Sequence, residues 1–268
     1  MYEHYWGLSS APFANRLDEQ GFYESSIHEE ALARLYYAVE ESKALAVLHG
    51  PPGCGKSQLL SVLAGQVRRT QRFLVTGHLA NMTEEDLLAH LDNQFRLGGG
   101  ENDSLRSRWM RLKDFLQVTG ESGLQSVLLL DGLEEAEDSA VNAIRRLIRL
   151  AYHQEANLTV IAGLDRGTFS SAVHELLEVA DLGIEVRPLD QRETESYVRT
   201  RLESAGSQRE VFHQDALDQL QSLTAGVPRE INRLCDLALL AGMSESRTAI
   251  DRELIAGLTG ENRLPVST

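Results

Sequence analysis

The chain has 268 residues, of which 42% are hydrophobic and 25% are charged, values typical of a globular protein of one or two domains. This composition excludes intrinsic disorder, and no apolar run reaches the length of about 18–20 residues that crosses a bilayer. Forty acidic and 26 basic residues give a net charge of −14, which opposes strong non-specific binding to nucleic acids. Two cysteines make no disulfide framework, and the first residues lack the features of a signal peptide, so we expect a cytoplasmic protein.

Apolar strand-like runs alternate with longer amphipathic stretches, which predicts a mainly parallel sheet covered by helices. Residues 1–26 are predicted to form an irregular N-terminal extension. The predicted helices cover residues 27–42, 56–67, 83–96, 104–118 and 139–153. The predicted strands cover residues 44–49, 73–77, 126–130, 158–162 and 183–186. After Pro188 the pattern is helical, so we expect an α/β domain over residues 1–188 and a small helical domain over residues 189–268.

A glycine-rich segment joins the first predicted strand to the helix that follows it. The segment matches the pattern G-x-x-x-x-G-K-[ST] and reads Gly50-Pro51-Pro52-Gly53-Cys54-Gly55-Lys56-Ser57. Glycines allow several backbone N–H groups to converge on one anion, and the N-terminus of the next helix adds to them. We therefore predict that the segment binds the phosphates of ATP or GTP, with Lys56 on the β- and γ-phosphates and the Ser57 hydroxyl on Mg²⁺.

The predicted strand at residues 126–130 is followed directly by a carboxylate residue. Residues 127–130 are apolar, and Asp131 follows them directly. A buried strand of this kind has the geometry of a Walker B strand, in which the terminal carboxylate lies beside the phosphate loop. We predict that Asp131 holds a water molecule bound to Mg²⁺.

Two features leave alternatives open. Cys54 lies beside a lysine and a helix N-terminus, so it is either a thiol with a lowered pKa or simply a small side chain at a permissive position. Near the N-terminus, Phe13, Tyr23 and His28 either line a pocket for the adenine base or belong to the hydrophobic core.

With these motifs the chain resembles, over nearly its whole length, the AAA+ ATPases related to general secretion pathway protein A (the ExeA-like group). After the phosphate loop, the most specific shared block is 226–236, which reads Gly-Val-Pro-Arg-Glu-Ile-Asn-Arg-Leu-Cys-Asp. Further shared positions near the N-terminus are Met1-Tyr2, Gly7-Leu8, Pro12-Phe13, Asp18, Tyr23 and residues 28–32. The resemblance implies a three-layer P-loop domain, a helical lid, and oligomers in which one subunit completes its neighbour's site. It also implies that Arg229 is the lid arginine that reaches the γ-phosphate.

Three stretches depart from the family pattern. Where the family has Asp-Glu-Ala-Gln, this chain has Asp131-Gly132-Leu133-Glu134, so the glutamate that usually polarises water is missing. Either Glu134 or Glu135 replaces it, or both belong to a solvated helix start. Where the family has a polar sensor, commonly within Gly-Gln-Pro-Glu, this chain has Gly163-Leu164-Asp165-Arg166, so the polar residue is replaced or displaced. Residues 177–183, which should align with the family's arginine-bearing stretch, contain no arginine. The remaining candidates for an arginine finger are Arg145, Arg146, Arg149 and Arg166.

The retained and missing groups together predict an ATP-Mg²⁺-binding switch with slow or partner-dependent hydrolysis, in which the candidate catalytic residues are Lys56, Asp131 and Glu134. One alternative is an active ATPase of a secretion, pilus or polysaccharide-export system. A second alternative is a DNA-associated regulator of transposition, which the net charge opposes. We expect self-association and an unidentified protein partner. We expect no direct membrane anchor, because no transmembrane segment or cell-wall-binding domain follows the lid sequence.

Overall fold

A five-stranded parallel sheet forms the centre of the computed structural model, which describes residues 2–14, 23, 25–70, 72–100, 103–153 and 156–261. The strands are β1 (Leu45–Gly50), β2 (Phe73–His78), β3 (Ser126–Asp131), β4 (Leu158–Asp165) and β5 (Leu182–Glu185). Their spatial order is β2-β3-β4-β1-β5. Because all of the pairs are parallel, the C-terminal ends of the strands share one edge of the sheet.

Helices cover both faces of the sheet, which explains why β3 and β4 are apolar on both sides. The helices are α2 (Ser26–Glu40), α3 (Lys56–Val67), α4 (Glu84–Phe95), α5 (Leu105–Glu121), α6 (Asp138–Tyr152) and α7 (Ser171–Leu177). One face packs against α2 and α3, and the other packs against the helices from α4 to α7. A capping box starts α4, since Thr83 and Asp86 cap each other's backbone N–H groups.

The helices after residue 189 pack around a separate apolar core, and we call this part the lid. They are α8 (Gln191–Ser204), α9 (Gln214–Thr224), α10 (Pro228–Ser244) and α11 (Arg252–Glu261). A short N-terminal helix, α1 (Tyr2–Trp6), joins the same core. The side chains of Trp6, Leu8 and Phe13 are buried there, and the Trp6 indole N–H donates to the carbonyl oxygen of Leu239 (2.8 Å).

The predicted fold class is confirmed: a parallel sheet lies between helical layers, and a helical part follows. The predicted strands and helices are all present, with ends that differ by a few residues. The prediction of an irregular N-terminal segment was wrong for residues 2–6, which form α1. The division at residue 188 stays a prediction, and Met1, Asp18 and residues 262–268 lie outside the described residues. No helix within the described ranges is both long and apolar enough to span a bilayer.

Candidate nucleotide-binding site

The phosphate loop connects β1 to α3 at the C-terminal edge of the sheet. Gly53 and Gly55 have φ values of +83° and +97°, which favour glycine. A Cβ atom at Gly53 would lie 2.8 Å from Cβ of Arg229, and one at Gly55 would lie 2.8 Å from Nε2 of His28. The loop therefore needs glycine both for its backbone conformation and for the close approach of its neighbours.

Lys56 begins α3 and points back under the loop. Its ammonium group donates to the backbone oxygens of Gly50 (3.0 Å) and Pro51 (2.8 Å), and it forms an ion pair with the carboxylate of Asp165. The lysine side chain is only 5% exposed. The structure thus places a buried cation at the base of the loop.

Ser57 and Asp131, predicted as magnesium ligands, lie next to each other. The Ser57 hydroxyl donates to Oδ2 of Asp131 at 2.5 Å. Gly163 of β4 makes room for this carboxylate, because a Cβ atom at Gly163 would overlap with it. A hydroxyl and a carboxylate are oxygen donors of the kind that Mg²⁺ prefers, and Mg²⁺ commonly completes its shell with substrate phosphates and water. The donor set therefore fits a magnesium ion.

The position after Asp131 carries no side chain. Gly132 has a φ of +75°, and a Cβ atom there would lie 2.6 Å from Cε1 of His78. Nδ1 of His78 accepts the N–H of Ala80 (3.2 Å), which places the proton of the neutral ring on Nε2. The side chain of His78, at the end of β2, thus takes the space that a side chain at position 132 would need.

Glu134 and Glu135 both border the cavity but make different contacts. The Glu134 carboxylate accepts the backbone N–H of Asp165 (3.0 Å), whereas Glu135 is exposed. Glu134 therefore holds the end of β4. His78 is a site residue that the sequence alone did not indicate, and Asp165 was named only as part of the stretch at the family's sensor position. The signal that marks them is their position at the ends of strands on the same edge as Asp131.

The candidates for an arginine finger make contacts within the subunit. Arg145 pairs with Glu175, and Arg166 pairs with Glu185. The guanidinium of Arg146 lies over the Trp109 ring at 4.1 Å. Three of the four candidate arginines thus have partners within the same chain.

Arg229 brings the lid to the phosphate loop. It follows Pro228 in the first turn of α10, and its backbone N–H donates to the carbonyl oxygen of Gly53 (3.2 Å). Gly226 permits this approach: it has a φ of +76°, and its carbonyl oxygen accepts the N–H of Leu189 (2.9 Å). The exposed guanidinium of Arg229 borders the same cavity as Lys56.

A cavity of about 460 Å³ lies between the phosphate loop and the lid, within the range of small-molecule sites. Its lining contains charged residues together with Tyr23 and Tyr197, whose rings meet edge to face at 5.1 Å. The Tyr197 hydroxyl donates to Oδ1 of Asn232 (2.6 Å), and burial raises the pKa of Tyr197. A lining with both cationic and aromatic side chains suits a ligand that carries both phosphates and a base.

The structure distinguishes between the alternatives for Cys54 and for the N-terminal residues Phe13, Tyr23 and His28. Phe13 belongs to the core, where its ring meets Phe212, while Tyr23 and His28 border the cavity. Nε2 of His28 donates to the carbonyl oxygen of Cys54 (3.0 Å), and burial lowers the pKa of His28. Cys54 is fully buried, and burial raises the pKa of its thiol, which favours the interpretation as a small packed side chain.

The comparisons with known proteins agree with this geometry. A sequence model of the AAA ATPase domain family matches residues 22–161, more than half of the chain. The chain belongs to the AAA ATPase domain family. General secretion pathway protein A of Aeromonas hydrophila is 29% identical over 248 residues, which confirms the predicted resemblance. That match covers 91% of this chain and 45% of the relative, so the chain spans about half of the relative's length.

Solved structures of AAA+ proteins share the fold. Cdc6p from Pyrobaculum aerophilum superimposes with a TM-score of 0.65 at 15% identity, over 92% of this chain and 68% of its own. The ORC1 protein of Aeropyrum pernix, solved in complex with DNA, gives a TM-score of 0.65 at 16% identity, over 91% of this chain and 68% of its own. At such identities the likeness extends to the fold alone.

Proposed function

We propose that the protein is an ATP-Mg²⁺-binding AAA+ switch whose hydrolysis is slow or depends on a partner. The observation that carries the proposal is the convergence of Lys56, the Ser57–Asp131 pair and Arg229 on one cavity, beside a Gly132 that has no carboxylate to offer. A general base speeds up the chemical step by about 10²–10⁴-fold. Because only this group is missing at position 132, we expect ATP to bind while its hydrolysis is slow.

Each group has a separate part in binding. Lys56 and the backbone N–H groups of the loop hold the phosphate chain. Ser57 and Asp131 would hold a magnesium ion, which neutralises phosphate charge when bound. Arg229 sits on the lid, so its contact with the terminal phosphate would draw the lid onto the loop and change the surface offered to a partner.

The direct test is to titrate the protein with Mg²⁺-ATP by calorimetry and to measure steady-state turnover at several protein concentrations. We expect saturable binding and turnover well below 1 s⁻¹, with a rise in specific turnover at higher protein concentration if subunits share sites. An absence of binding at millimolar nucleotide would contradict the proposal.

A second candidate function, an active ATPase, is favoured by the position of Glu134 and Glu135 at the cavity. We expect Glu134→Gln to keep turnover within about threefold of the wild type, because the amide oxygen still accepts the Asp165 N–H. A loss of about 100-fold or more in Glu134→Gln, or in the neighbouring variant Glu135→Gln, would instead identify a general base. Phosphate release assays on the two variants decide between the functions.

Arg229 provides a test of lid closure. We expect Arg229→Ala to weaken ATP binding about 10-fold and ADP binding less than threefold, because a charge-assisted hydrogen bond to the terminal phosphate is lost. Arg233→Ala is the matched control, since Arg233 lies one turn further along α10 and pairs with Glu230 at 3.0 Å. Equal losses for ATP and ADP in Arg229→Ala would place its contact elsewhere.

The partners and location also belong to the proposal. We propose a cytoplasmic protein that associates with itself and with another protein, since the family implies oligomers and Cys54 and Cys235 are both free thiols. A role on DNA is disfavoured by the net charge of −14.

A further inference from the structure

The ammonium group of Lys56 is fully engaged inside the protein. It has three N–H donors, and its three acceptors are the backbone oxygens of Gly50 and Pro51 and a carboxylate oxygen of Asp165. The side chain is almost completely buried. A phosphate that binds Lys56 must therefore take the place of one of these acceptors.

Asp165 is the acceptor that can give way. Gly50 and Pro51 contribute backbone oxygens that are part of the loop itself, whereas Asp165 contributes a side chain that is 35% exposed at the cavity. The backbone of Asp165 stays fixed, because it is in register with Gly50 and its N–H donates to Glu134 (3.0 Å). A rotation of the side chain alone would thus release Lys56.

We propose that Asp165 pairs with Lys56 where a nucleotide phosphate would bind, so that this ion pair and bound nucleotide exclude each other. This inference rests on the proposed function and names the residue that regulates the same site. An internal competitor lowers the apparent affinity by the fraction of molecules in which Lys56 is available. The displaced carboxylate also adds negative charge beside a bound triphosphate. Asp165 therefore sets the nucleotide concentration at which the site fills.

The test is the variant Asp165→Asn, which keeps the shape of the side chain and removes its charge. We expect Mg²⁺-ATP to bind about 10-fold more tightly by calorimetry, a change close to the lower end of the range measured for close charge pairs. The nucleotide-free variant should melt at a lower temperature, because Lys56 is then buried without a counter-charge. Saturating ATP should raise its melting temperature by more than it raises that of the wild type.

Two further variants make the test specific. Asp165→Ala removes the acceptor altogether and should also tighten the binding of ATP. If only one of the two variants changes the affinity, the cause is the new side chain and not the lost carboxylate. Glu185→Gln removes one charge at the end of β5, on the same edge of the sheet, from a side chain that pairs with Arg166. We expect its affinity for ATP to stay within about twofold of the wild type.

The outcomes separate this inference from the proposed function. If the wild type binds ATP and neither Asp165 variant binds it more tightly, the competition is overturned and the proposed function stands. If Glu185→Gln tightens the binding of ATP as much as Asp165→Asn does, the cause is the change in overall charge, and the competition is again overturned. If neither wild type nor Asp165→Asn binds ATP at millimolar concentration, the proposed function fails, and the inference fails with it.

Discussion

Replacing Lys56 with alanine should weaken the binding of Mg²⁺-ATP about 100-fold or more. The ammonium is the cation buried beneath the phosphate loop. Hydrogen bonds to charged groups contribute about 1.5–3 kcal/mol, and removing a partner from a buried charge costs more. Calorimetric titration of the wild type and of Lys56→Ala measures the difference.

Lys113→Ala is the control for this prediction, because Lys113 is one of the three lysines and is exposed on α5. We expect it to bind ATP as the wild type does. Circular dichroism should show that Lys56→Ala keeps its helices, since the loop backbone is also held by the Arg229 N–H on Gly53 and by His28 on Cys54. Unchanged affinity in Lys56→Ala would refute the proposed function, because Lys56 is the group assigned to the β- and γ-phosphates.

Replacing Trp6 with alanine should lower the free energy of unfolding by about 3–5 kcal/mol. The Trp6 side chain is 1% exposed, and its indole N–H donates to the carbonyl oxygen of Leu239. Its ring also lies against Gly242, where a Cβ atom would come within 2.8 Å of Cζ2 of Trp6. The truncation therefore leaves a large cavity in the lid core and removes the hydrogen bond from the indole. Urea denaturation followed by circular dichroism measures the loss.

Tyr37→Ala is the matched comparison, because Tyr37 is an aromatic side chain of α2 that is 51% exposed. We expect its effect on the free energy of unfolding to be below about 1 kcal/mol. A second variant, Trp6→Phe, keeps most of the ring volume and should retain more than half of the stability that Trp6→Ala loses. A loss below 1 kcal/mol in Trp6→Ala would show that the N-terminal helix contributes little to the lid.

The elements of the α/β part were predictable because each carries its signal within a few residues. The phosphate-loop motif predicts the strand before it, β1, and the helix after it, α3. The residues Thr83 and Asp86 mark the start of α4. The helix at residues 2–6 carries no such signal. It has only five residues, and it is held by α10, where the Trp6 indole bonds to Leu239, 233 positions away in the sequence. No local pattern encodes a contact of that kind.

The candidate site divides in the same way. Lys56, Ser57 and Asp131 belong to recognisable motifs, and Arg229 follows from the resemblance. Asp165 and His78 come into the site through the strand order, which puts β4 between β1 and β3 and puts β2 beside β3. The register pairs Asp165 with Gly50 and His78 with Asp131. Such neighbours depend on how the strands assemble, and a single sequence does not reveal that order.

The packing of α1 against α10 has a consequence for how the chain folds. Contacts between residues separated by most of the chain are slow to form, because a large loop must close before they are made. Because α1 is synthesised well before α10, Trp6 stays uncovered until α10 has been made. A ribosome-bound chain would expose this tryptophan throughout synthesis, and a fragment that starts at residue 189 would present an open apolar groove in its place. Nascent chains of this protein are thus expected to be clients for chaperones until the lid is complete.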